Sequence, residues 1–245
     1  MGVRSDEKRQ PAGLKTSVLM RDLTVPEQKM IWDRRNANDS LRRLSPDPRV
    51  IQYIGDLPQQ SRRALDIGCG NGRHLRQLAE IGWRCTGMDW SNESLQQTRE
   101  AIAGFEQHTT VVKCDFRKTG FNGNYFHLIL GIDVIHHGKK RDLERAIAEI
   151  KRIKAISGQA LISLPGMRNA PTEHQADWIE KQTCILRNGL EVGIPHHFVT
   201  EEDIPVLFRT FKTVDVNRVV VPMPAGVKPL HSMHENEWFW IRVAG

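Results

Sequence analysis

From residue 63 onward, short apolar runs alternate with longer segments in which apolar positions recur every three or four residues. The short runs are typical of buried strands, and the longer segments are typical of amphipathic helices. The pattern predicts strands over 63–67, 83–88, 109–113, 126–132 and 159–164, and helices over 72–81, 92–104 and 140–155. Strands and helices that alternate in this way indicate right-handed βαβ units on a parallel sheet.

Two segments depart from this alternation. Residues 25–58 contain helix-compatible stretches separated by turn-forming residues, which predicts a helical lid ahead of the sheet. Residues 165–199 are interrupted by prolines and glycines, among them Pro171 and Gly189, which predicts a cap insertion. Residues 1–24 mix both signs of charge without a central apolar run, and we expect them to form a mobile tail.

The alternation resumes towards the C-terminus. It predicts a helix near 200–209, a strand near 212–221, a Pro- and Gly-rich loop and a final strand near 236–243. Residues 25–245 are therefore expected to form a single α/β domain.

Composition narrows the class of protein. The chain has 245 residues, of which 39% are hydrophobic and 26% charged, as in ordinary soluble proteins. Its apolar stretches fall well short of the ~20 residues that a membrane helix needs, and the N-terminus does not resemble a signal peptide. The four cysteines occur singly, without metal-site or disulfide spacing. We expect a cytoplasmic protein without a membrane partner.

The formal net charge of +6 raises the question of a nucleic-acid partner. Lysine and arginine are spread along the chain, and the densest basic run, from Lys139 to Lys154, is interleaved with acidic residues. That pattern is typical of a solvated helix face, so the charge alone does not predict nucleic-acid binding.

The clearest chemical signal is a glycine-rich turn. Gly68, Gly70 and Gly72 occupy alternate positions directly after a predicted buried strand and directly before a predicted helix. Glycine permits a positive φ and lets a ligand lie against the backbone without meeting a Cβ atom. The turn therefore predicts a ligand that approaches the main chain closely.

Asp89 ends the second predicted strand, 21 residues after Gly68. A carboxylate at this place can accept hydrogen bonds from the hydroxyls of a ribose. Strand, glycine turn, helix, strand and acid occur in this order in proteins that bind nicotinamide dinucleotides and in proteins that bind S-adenosylmethionine. These features alone do not separate the two ligands.

Three details favour S-adenosylmethionine. Arg73 stands where a dinucleotide-binding turn has its third glycine. Asp66 puts a carboxylate beside the turn, which suits a cationic amino-acid group better than a pyrophosphate. Asp115 and Phe116 follow the third predicted strand and could contact the amino group and the face of an adenine.

The sequence resembles the class I S-adenosylmethionine-dependent methyltransferases, which have a Rossmann-like fold, and in particular bacterial small-molecule enzymes. The resemblance rests on LDIGCGNG at 65–72, GMDWS at 87–91, CDF at 114–116 and FHLILGIDVIHHG at 126–138, and it extends more weakly to the C-terminal strands. Together with the predicted elements it implies a doubly wound, mostly parallel sheet of seven strands with the last strand antiparallel, joined by the N-terminal helices and the cap.

The resemblance also implies roles for individual residues. The three glycines of the turn flank the methionine moiety and the ribose, and Asp89 holds the ribose hydroxyls. Trp90 and Phe116 sandwich the adenine, and Asp115 accepts its amino hydrogens. The transferred methyl group is bordered by residues after the fourth strand, which are Gly131, Ile132 and Asp133. The turn at 154–158 departs from the family pattern, at a place away from the cofactor.

Transfer to a hydroxyl or ammonium acceptor needs a group that removes a proton. Histidine suits this role, and two pairs are candidates: His136 and His137 after the fourth predicted strand, and His196 and His197 in the cap. We take His136, His137 and His197 as the candidate catalytic residues, with packing or helix capping as the alternative for each pair. No metal site is expected from these histidines or from His231 and His234, because no carboxylate or thiol shares a recognisable ligand spacing with them.

The predicted lid contains Trp32, Arg34 and Arg35. One of its arginines could pair with the carboxylate of the cofactor. The alternative is a helix that packs its tryptophan and exposes its arginines.

The sequence thus predicts in-line methyl transfer from S-adenosylmethionine to a small metabolite or natural product, without a nucleic-acid partner. Two alternatives remain open, an RNA-directed methyltransferase and a protein that binds S-adenosylmethionine without catalysis. The sequence leaves open the acceptor, the acceptor atom and the oligomeric state.

Overall fold

The structure is a computed structural model that describes residues 23–57, 62–222 and 235–245. Almost all of the predicted N-terminal tail, the last residue of the predicted lid and most of the Pro- and Gly-rich loop lie outside these ranges. His231 and His234 also lie outside the described residues.

The described residues contain ten strands and seven α-helices. The strands are β1 (Arg63–Ile67), β2 (Arg84–Asp89), β3 (Thr109–Lys113), β4 (Phe126–Gly131), β5 (Lys154–Pro165), β6 (Ala176–Glu180), β7 (Thr183–Leu186), β8 (Pro195–His197), β9 (Thr213–Pro222) and β10 (Glu235–Ala244). The helices are α1 (Val25–Asn36), α2 (Asp39–Arg42), α3 (Pro48–Gly55), α4 (Arg73–Glu80), α5 (Asn92–Ala101), α6 (Lys140–Ile153) and α7 (Asp203–Leu207).

Seven of these strands form the main sheet, in the order β3-β2-β1-β4-β5-β10-β9. The first five strands in this order run parallel to one another, whereas β10 pairs antiparallel with both β5 and β9. The seven-stranded, mostly parallel sheet with an antiparallel last strand is therefore confirmed.

The sheet has an apolar core on each face. Leu65 and Ile129 face the core on the side that α6 and α7 cover, and Leu128 faces the core on the side of α3 and α4. Because successive side chains of a strand point to opposite faces, the apolar runs of β1 and β4 supply both cores. The loops that follow β1, β2 and β4 meet at the carboxyl edge of the sheet, where ligands bind in folds of this type.

The cap is more ordered than its prolines and glycines predicted. Strands β6, β7 and β8 form a separate antiparallel sheet. The turn between β6 and β7 contains Gln182 at φ 64°, and glutamine gives no sequence signal for a hairpin turn. The residues of this turn therefore do not predict the hairpin.

Strand β5 begins at Lys154, five residues before its predicted start. The predicted turn at 154–158 is an irregular part of the strand, where its register against β4 shifts. The buried Lys154 ammonium donates to the carbonyls of Ala155 at 2.9 Å and Gly158 at 3.2 Å, which satisfies backbone groups that the irregularity leaves unpaired.

The predicted helix at 200–209 is also shorter than expected, since only Asp203–Leu207 is helical. Thr200 precedes it and donates to the Asp203 carboxylate through both its amide and its hydroxyl. Among the described residues, no helix combines the length and apolarity that crossing a membrane requires.

Candidate active site

The glycine turn between β1 and α4 has the backbone that the sequence predicted. Gly68, Gly70 and Gly72 have φ values of 64°, 56° and 78°. A Cβ atom on Gly68 would lie 2.4 Å from Val134 Cγ2, and one on Gly72 would lie 2.9 Å from Thr98 Cα. Among the described residues, a Cβ atom on Gly70 would meet nothing closer than 3.8 Å. Two glycines are thus required by packing within the protein, and the third leaves open space for a ligand.

Asp89, at the end of β2, anchors this turn. Its Oδ2 accepts from Gly70 N at 3.1 Å, and its Oδ1 accepts from Trp90 N at 2.7 Å and from Ser91 N at 2.9 Å. Burial raises the pKa of the Asp89 carboxyl, and these backbone hydrogen bonds oppose that rise. The Ser94 side chain also hydrogen-bonds this carboxylate and opposes the rise, so four groups of the protein engage Asp89.

A pocket lies directly over the turn. About 700 Å³ of empty space, open solvent at its mouth included, lies between the residues that line it. The lining joins the turn, the ends of β2 and β4, the start of the loop after β3, and one face of α1. Its residues are Gln28, Trp32, Arg35, Asn36, Gly68, Gly70, Met88, Asp89, Trp90, Cys114, Phe116, Asp133, Val134 and His137.

Trp90 and Phe116 both line the pocket, but Asp115 does not. Arg117 donates to both oxygens of the Asp115 carboxylate, with contacts of 2.7 to 3.1 Å. The Arg117 guanidinium also lies 5.1 Å from the Trp90 ring centroid and 5.8 Å from that of Phe116. Arg117 therefore lies against both rings, although it is not among the residues that line the pocket, and most of the Asp115 acceptor capacity is already used.

Three other predicted cofactor residues are not among those that line the pocket, namely Asp66, Gly72 and Ile132. Asp66 is buried in β1 below the turn, and burial raises the pKa of its carboxyl to about 7, against the effect of the nearby Arg73. Ile132 packs into the apolar core on the side of α3 and α4. Gly72 belongs to the contact between α4 and α5.

Helix α1 forms one wall of the pocket. Asp33 accepts from Ser91 Oγ at 2.7 Å, and Asn36 donates to Ser94 Oγ at 2.7 Å, so the helix is tied to the first turn of α5. Trp32 and Arg35 line the pocket, whereas Arg34 is exposed to solvent. Of the two arginines that the sequence offered, Arg35 is the one on the pocket side.

The loop after β4 brings Asp133 and His137 into the pocket. Asp133 has a φ of 53°, uncommon for a residue other than glycine, and its amide donates to Ser163 Oγ at 2.8 Å. His137 Nδ1 lies 2.9 Å from the Val134 carbonyl, and the His137 ring packs edge-on to Trp32 with centroids 4.6 Å apart. Of the three histidines predicted as catalytic, His137 alone belongs to the pocket lining.

His136 lies behind His137, with ring centroids 3.9 Å apart. It is 4% exposed, and burial together with the neighbouring His137 and His196 lowers the pKa of its imidazole well below the usual value. His197 is also buried, with Nδ1 2.8 Å from Thr183 Oγ1, and burial lowers its pKa to about 4. Neither ring belongs to the pocket lining.

The sequence did not single out Glu191. It lies in the cap, and its Oε2 is 2.7 Å from His196 Nε2 and 3.7 Å from His137 Nε2. Arg35 Nε pairs with Oε1 of the same carboxylate. Burial by itself would raise the pKa of Glu191, but contacts with His137 and His196 and the charge of Arg35 hold it well below its usual range. Nothing in the local sequence signals this convergence, because the partners come from three separate segments.

The sequence predicted no metal site, because no carboxylate or thiol shares a recognisable ligand spacing with the histidines. The fold supplies two, since Asp133 and Glu191 each approach His137, and the potential ligand atoms in each group lie within 4.8 Å of one another. The Glu191 carboxylate is at the same time held by the Arg35 guanidinium. The contacts within the cluster are hydrogen bonds and ion pairs.

Comparison with known proteins identifies a domain within the chain. Residues 64–158 match the family described as a methyltransferase domain. Over 140 residues the chain is 34% identical to "Probable tRNA methyltransferase 9B" of Mus musculus, which covers 57% of this chain and 28% of that protein. Over 118 residues it is 30% identical to the malonyl-[acyl-carrier protein] O-methyltransferase of Legionella pneumophila, and the aligned region covers 47% of this chain and 39% of that protein. The chain thus matches less than half the length of these curated relatives.

Solved structures agree on the fold. The 1,6-didemethyltoxoflavin-N1-methyltransferase of Burkholderia thailandensis, crystallised with its substrate and S-adenosylhomocysteine, superposes with a TM-score of 0.64 at 16% identity. The superposition covers 89% of this chain and 86% of that one. At this level of identity, the likeness establishes the shared architecture.

Proposed function

Since the chain carries a methyltransferase domain with the class I, S-adenosylmethionine-dependent fold, we propose that it catalyses in-line methyl transfer from S-adenosylmethionine to a small-molecule acceptor. The observation that carries this proposal is a single pocket that joins the glycine turn and Asp89 to Asp133 and His137. A cofactor-binding end and an end with proton-accepting side chains thus share one cavity.

The residues present fit the cofactor. Gly70 leaves open space over the turn, Asp89 lines the pocket beside it, and Trp90 and Phe116 offer aromatic faces. S-adenosylmethionine bound there supplies an electrophilic methyl group. The chain would hold the ribose through Asp89 and the adenine between the two rings, and Arg35 is the lid arginine available to its carboxylate.

A small acceptor is supported by how the pocket is enclosed. Helix α1 closes one side with Trp32 and Arg35, and Glu191 of the cap pairs with Arg35. A substrate of the size of an isolated metabolite fits such an enclosure. The toxoflavin enzyme of the same fold acts on a small heterocycle, which agrees with this proposal.

We assign the proton-accepting role to His137. Its ring lines the pocket, while His136 and His197 are buried outside the lining. A base must come within hydrogen-bond reach of the proton that it removes, so position favours His137 over the other two.

The cofactor assignment is tested by Asp89→Ala. The substitution removes a carboxylate that lines the pocket and the anchor of Gly70, and one charge-assisted hydrogen bond is worth about 1.5–3 kcal/mol. We expect S-adenosylhomocysteine to bind at least about tenfold more weakly in calorimetry. Asp177→Ala, which removes an exposed carboxylate in the cap, is the control and should leave affinity unchanged. Wild-type affinity in Asp89→Ala would refute the assignment.

An RNA acceptor is the second candidate, because the mouse relative is named as a tRNA methyltransferase and the chain carries a net charge of +6. RNA binding driven by phosphate contacts weakens steeply as salt rises. We expect no micromolar binding of bulk tRNA at physiological salt in a filter or fluorescence assay. Micromolar, salt-dependent binding would favour the RNA candidate over a small molecule.

A further inference from the structure

The Glu191 carboxylate connects three parts of the chain that are distant in sequence. It pairs with Arg35 of the lid helix through Oε1, and its Oε2 faces His196 of β8 and His137 of the loop after β4. The Glu191 side chain is 19% exposed and those of His137 and His196 are 7% exposed, so these interactions are only weakly screened by water.

The hydrogen bonds of the two rings fix which nitrogen carries the proton. His137 Nδ1 lies 2.9 Å from the Val134 carbonyl, and His196 Nδ1 lies 2.9 Å from the Ile194 carbonyl. A carbonyl oxygen can only accept, so Nδ1 is the protonated nitrogen in both rings. Nε2 is therefore the atom of each ring that gains or loses a proton, and both Nε2 atoms face Glu191.

The two rings stand in different relations to this carboxylate. His196 Nε2 and Glu191 Oε2 are 2.7 Å apart, a contact that requires a proton between them. His196 and Glu191 therefore form a hydrogen-bonded ion pair. His137 Nε2, at 3.7 Å, is too far for a hydrogen bond, yet it is close enough for the negative charge to stabilise an imidazolium.

Several charged groups surround the His137 ring. Its own loop supplies the Asp133 carboxylate and the His136 imidazole, the lid supplies Arg35, and the cap supplies Glu191 and His196. The two carboxylates favour a positive His137, and Arg35 and a protonated His196 oppose it. Since Arg35 and His196 both pair with Glu191, their net effect on His137 depends on that carboxylate.

We propose that Glu191 is a positioning residue that sets the protonation of His137, so that His137 Nε2 accepts a proton from a hydroxyl or amine nitrogen of the acceptor. In this step the acceptor's O–H or N–H bond breaks, its electron pair stays on the acceptor atom, and the proton moves to Nε2. The proposal rests on the methyl-transfer function and narrows its substrate class to acceptors that lose a proton. Because Arg35 holds Oε1, the arrangement is complete only when α1 is docked.

The proposal is tested by following the ring nitrogens of His137 by nuclear magnetic resonance in protein with ¹⁵N-labelled histidine, with no cofactor present. In Glu191→Gln the carboxylate charge is lost and the side-chain length is kept. We expect the titration midpoint of His137 to fall by at least about one pH unit, a tenfold loss of proton affinity. Glu173→Gln, an exposed site in the cap, makes the same charge change and should leave the midpoint unaltered.

A second variant separates charge from general disruption. Arg35→Gln removes the cation opposite His137, so its midpoint should move upward, in the direction opposite to Glu191→Gln. In the wild type, His137 should carry its proton on Nδ1. Either of two titration results would overturn the proposal: an unchanged His137 midpoint in Glu191→Gln, or shifts of the same sign in both variants. Ring signals that change only when a metal chelator is added would also overturn it.

The acceptor class has its own measurement. Formation of S-adenosylhomocysteine is followed with a panel of phenols, alcohols and amines and with a panel of thioethers and alkenes. Turnover in the first panel supports the proposal, and turnover confined to the second overturns it. Cofactor binding is measured independently with Asp89→Ala, so a failure here is distinguishable from a failure of the proposed function.

Discussion

At the scale of single residues, the pocket depends on groups that serve two purposes. A Cβ atom on Gly68 would collide with Val134, and Asp89 ties three backbone amides together while its carboxylate lines the pocket. Glu191 likewise holds the lid through Arg35 and faces two imidazoles. Substitutions at such positions will therefore affect both local order and binding, and a binding assay needs a stability measurement beside it.

Asp66 gives a stability prediction that needs no ligand. Burial raises the pKa of its carboxyl to about 7, whereas an unfolded chain releases that proton near pH 4. Between these values the folded state binds a proton that the unfolded state has lost, so stability decreases as pH rises through this interval. In Asp66→Asn this loss is absent. The variant should gain on the order of 1–4 kcal/mol relative to wild type between about pH 5 and about pH 8.

The measurement is chemical or thermal unfolding of both proteins at several pH values across that range. Asp177→Asn is the matched control, because pairing with Arg187 lowers the pKa of Asp177 and its titration lies below this range. A difference between Asp66→Asn and wild type that does not vary with pH would contradict the prediction.

At the scale of elements, periodicity predicted every strand of the main sheet and its principal helices, with ends that shifted by a few residues. The three strands of the cap sheet and the first part of β5 escaped. The β6–β7 hairpin turns at Gln182, which carries no turn signal, and the first part of β5 contains Gly158 within a segment that resembles a turn. In both cases, contacts with neighbouring strands override the local preference of the chain.

Gly158 is expected to be indispensable to β5. A Cβ atom there would lie 2.7 Å from the Phe126 carbonyl oxygen, 3.1 Å from that of His127 and 3.0 Å from that of Ala155. All three atoms belong to the backbone and cannot rotate away, so Gly158→Ala should destabilise the fold by about 1–3 kcal/mol.

Gly55→Ala is the matched control for this substitution. Gly55 is the last residue of α3, and a Cβ atom there would have no atom of the described residues within 4 Å. Alanine at this position should be neutral or stabilising by up to about 1 kcal/mol. Equal denaturation midpoints for Gly158→Ala and wild type would show that β5 tolerates a wider separation from β4.

At the scale of the whole molecule, the main sheet and the cap differ in how much apolar surface they bury. The main sheet has a large apolar core on each face. The cap sheet packs on a small cluster made of Ala170, Ala176, Cys184 and Phe198 with Met167 and Leu186. The cap nevertheless supplies Glu191, which pairs with Arg35 and faces His137 of the pocket lining, so the less extensively packed part of the molecule contributes to the candidate site.

This difference predicts the order of local opening. Amides of β6 and β7 should exchange with solvent faster than those of β1 and β4, because opening the cap exposes less apolar surface. Native-state hydrogen exchange followed by mass spectrometry measures this directly. Equal protection of the two sheets would mean that they unfold as one unit.

The sequence by itself determined the main sheet, the glycine turn and the place of Asp89. These features depend on local rules, namely hydrophobic periodicity, the backbone freedom of glycine and the position of a residue at a strand end. Tertiary structure decided which histidine reaches the pocket. It also brought Arg35 to Glu191 across 156 positions of sequence. Such convergence depends on how the lid and the cap pack on the sheet, and no local pattern records the packing of segments so far apart.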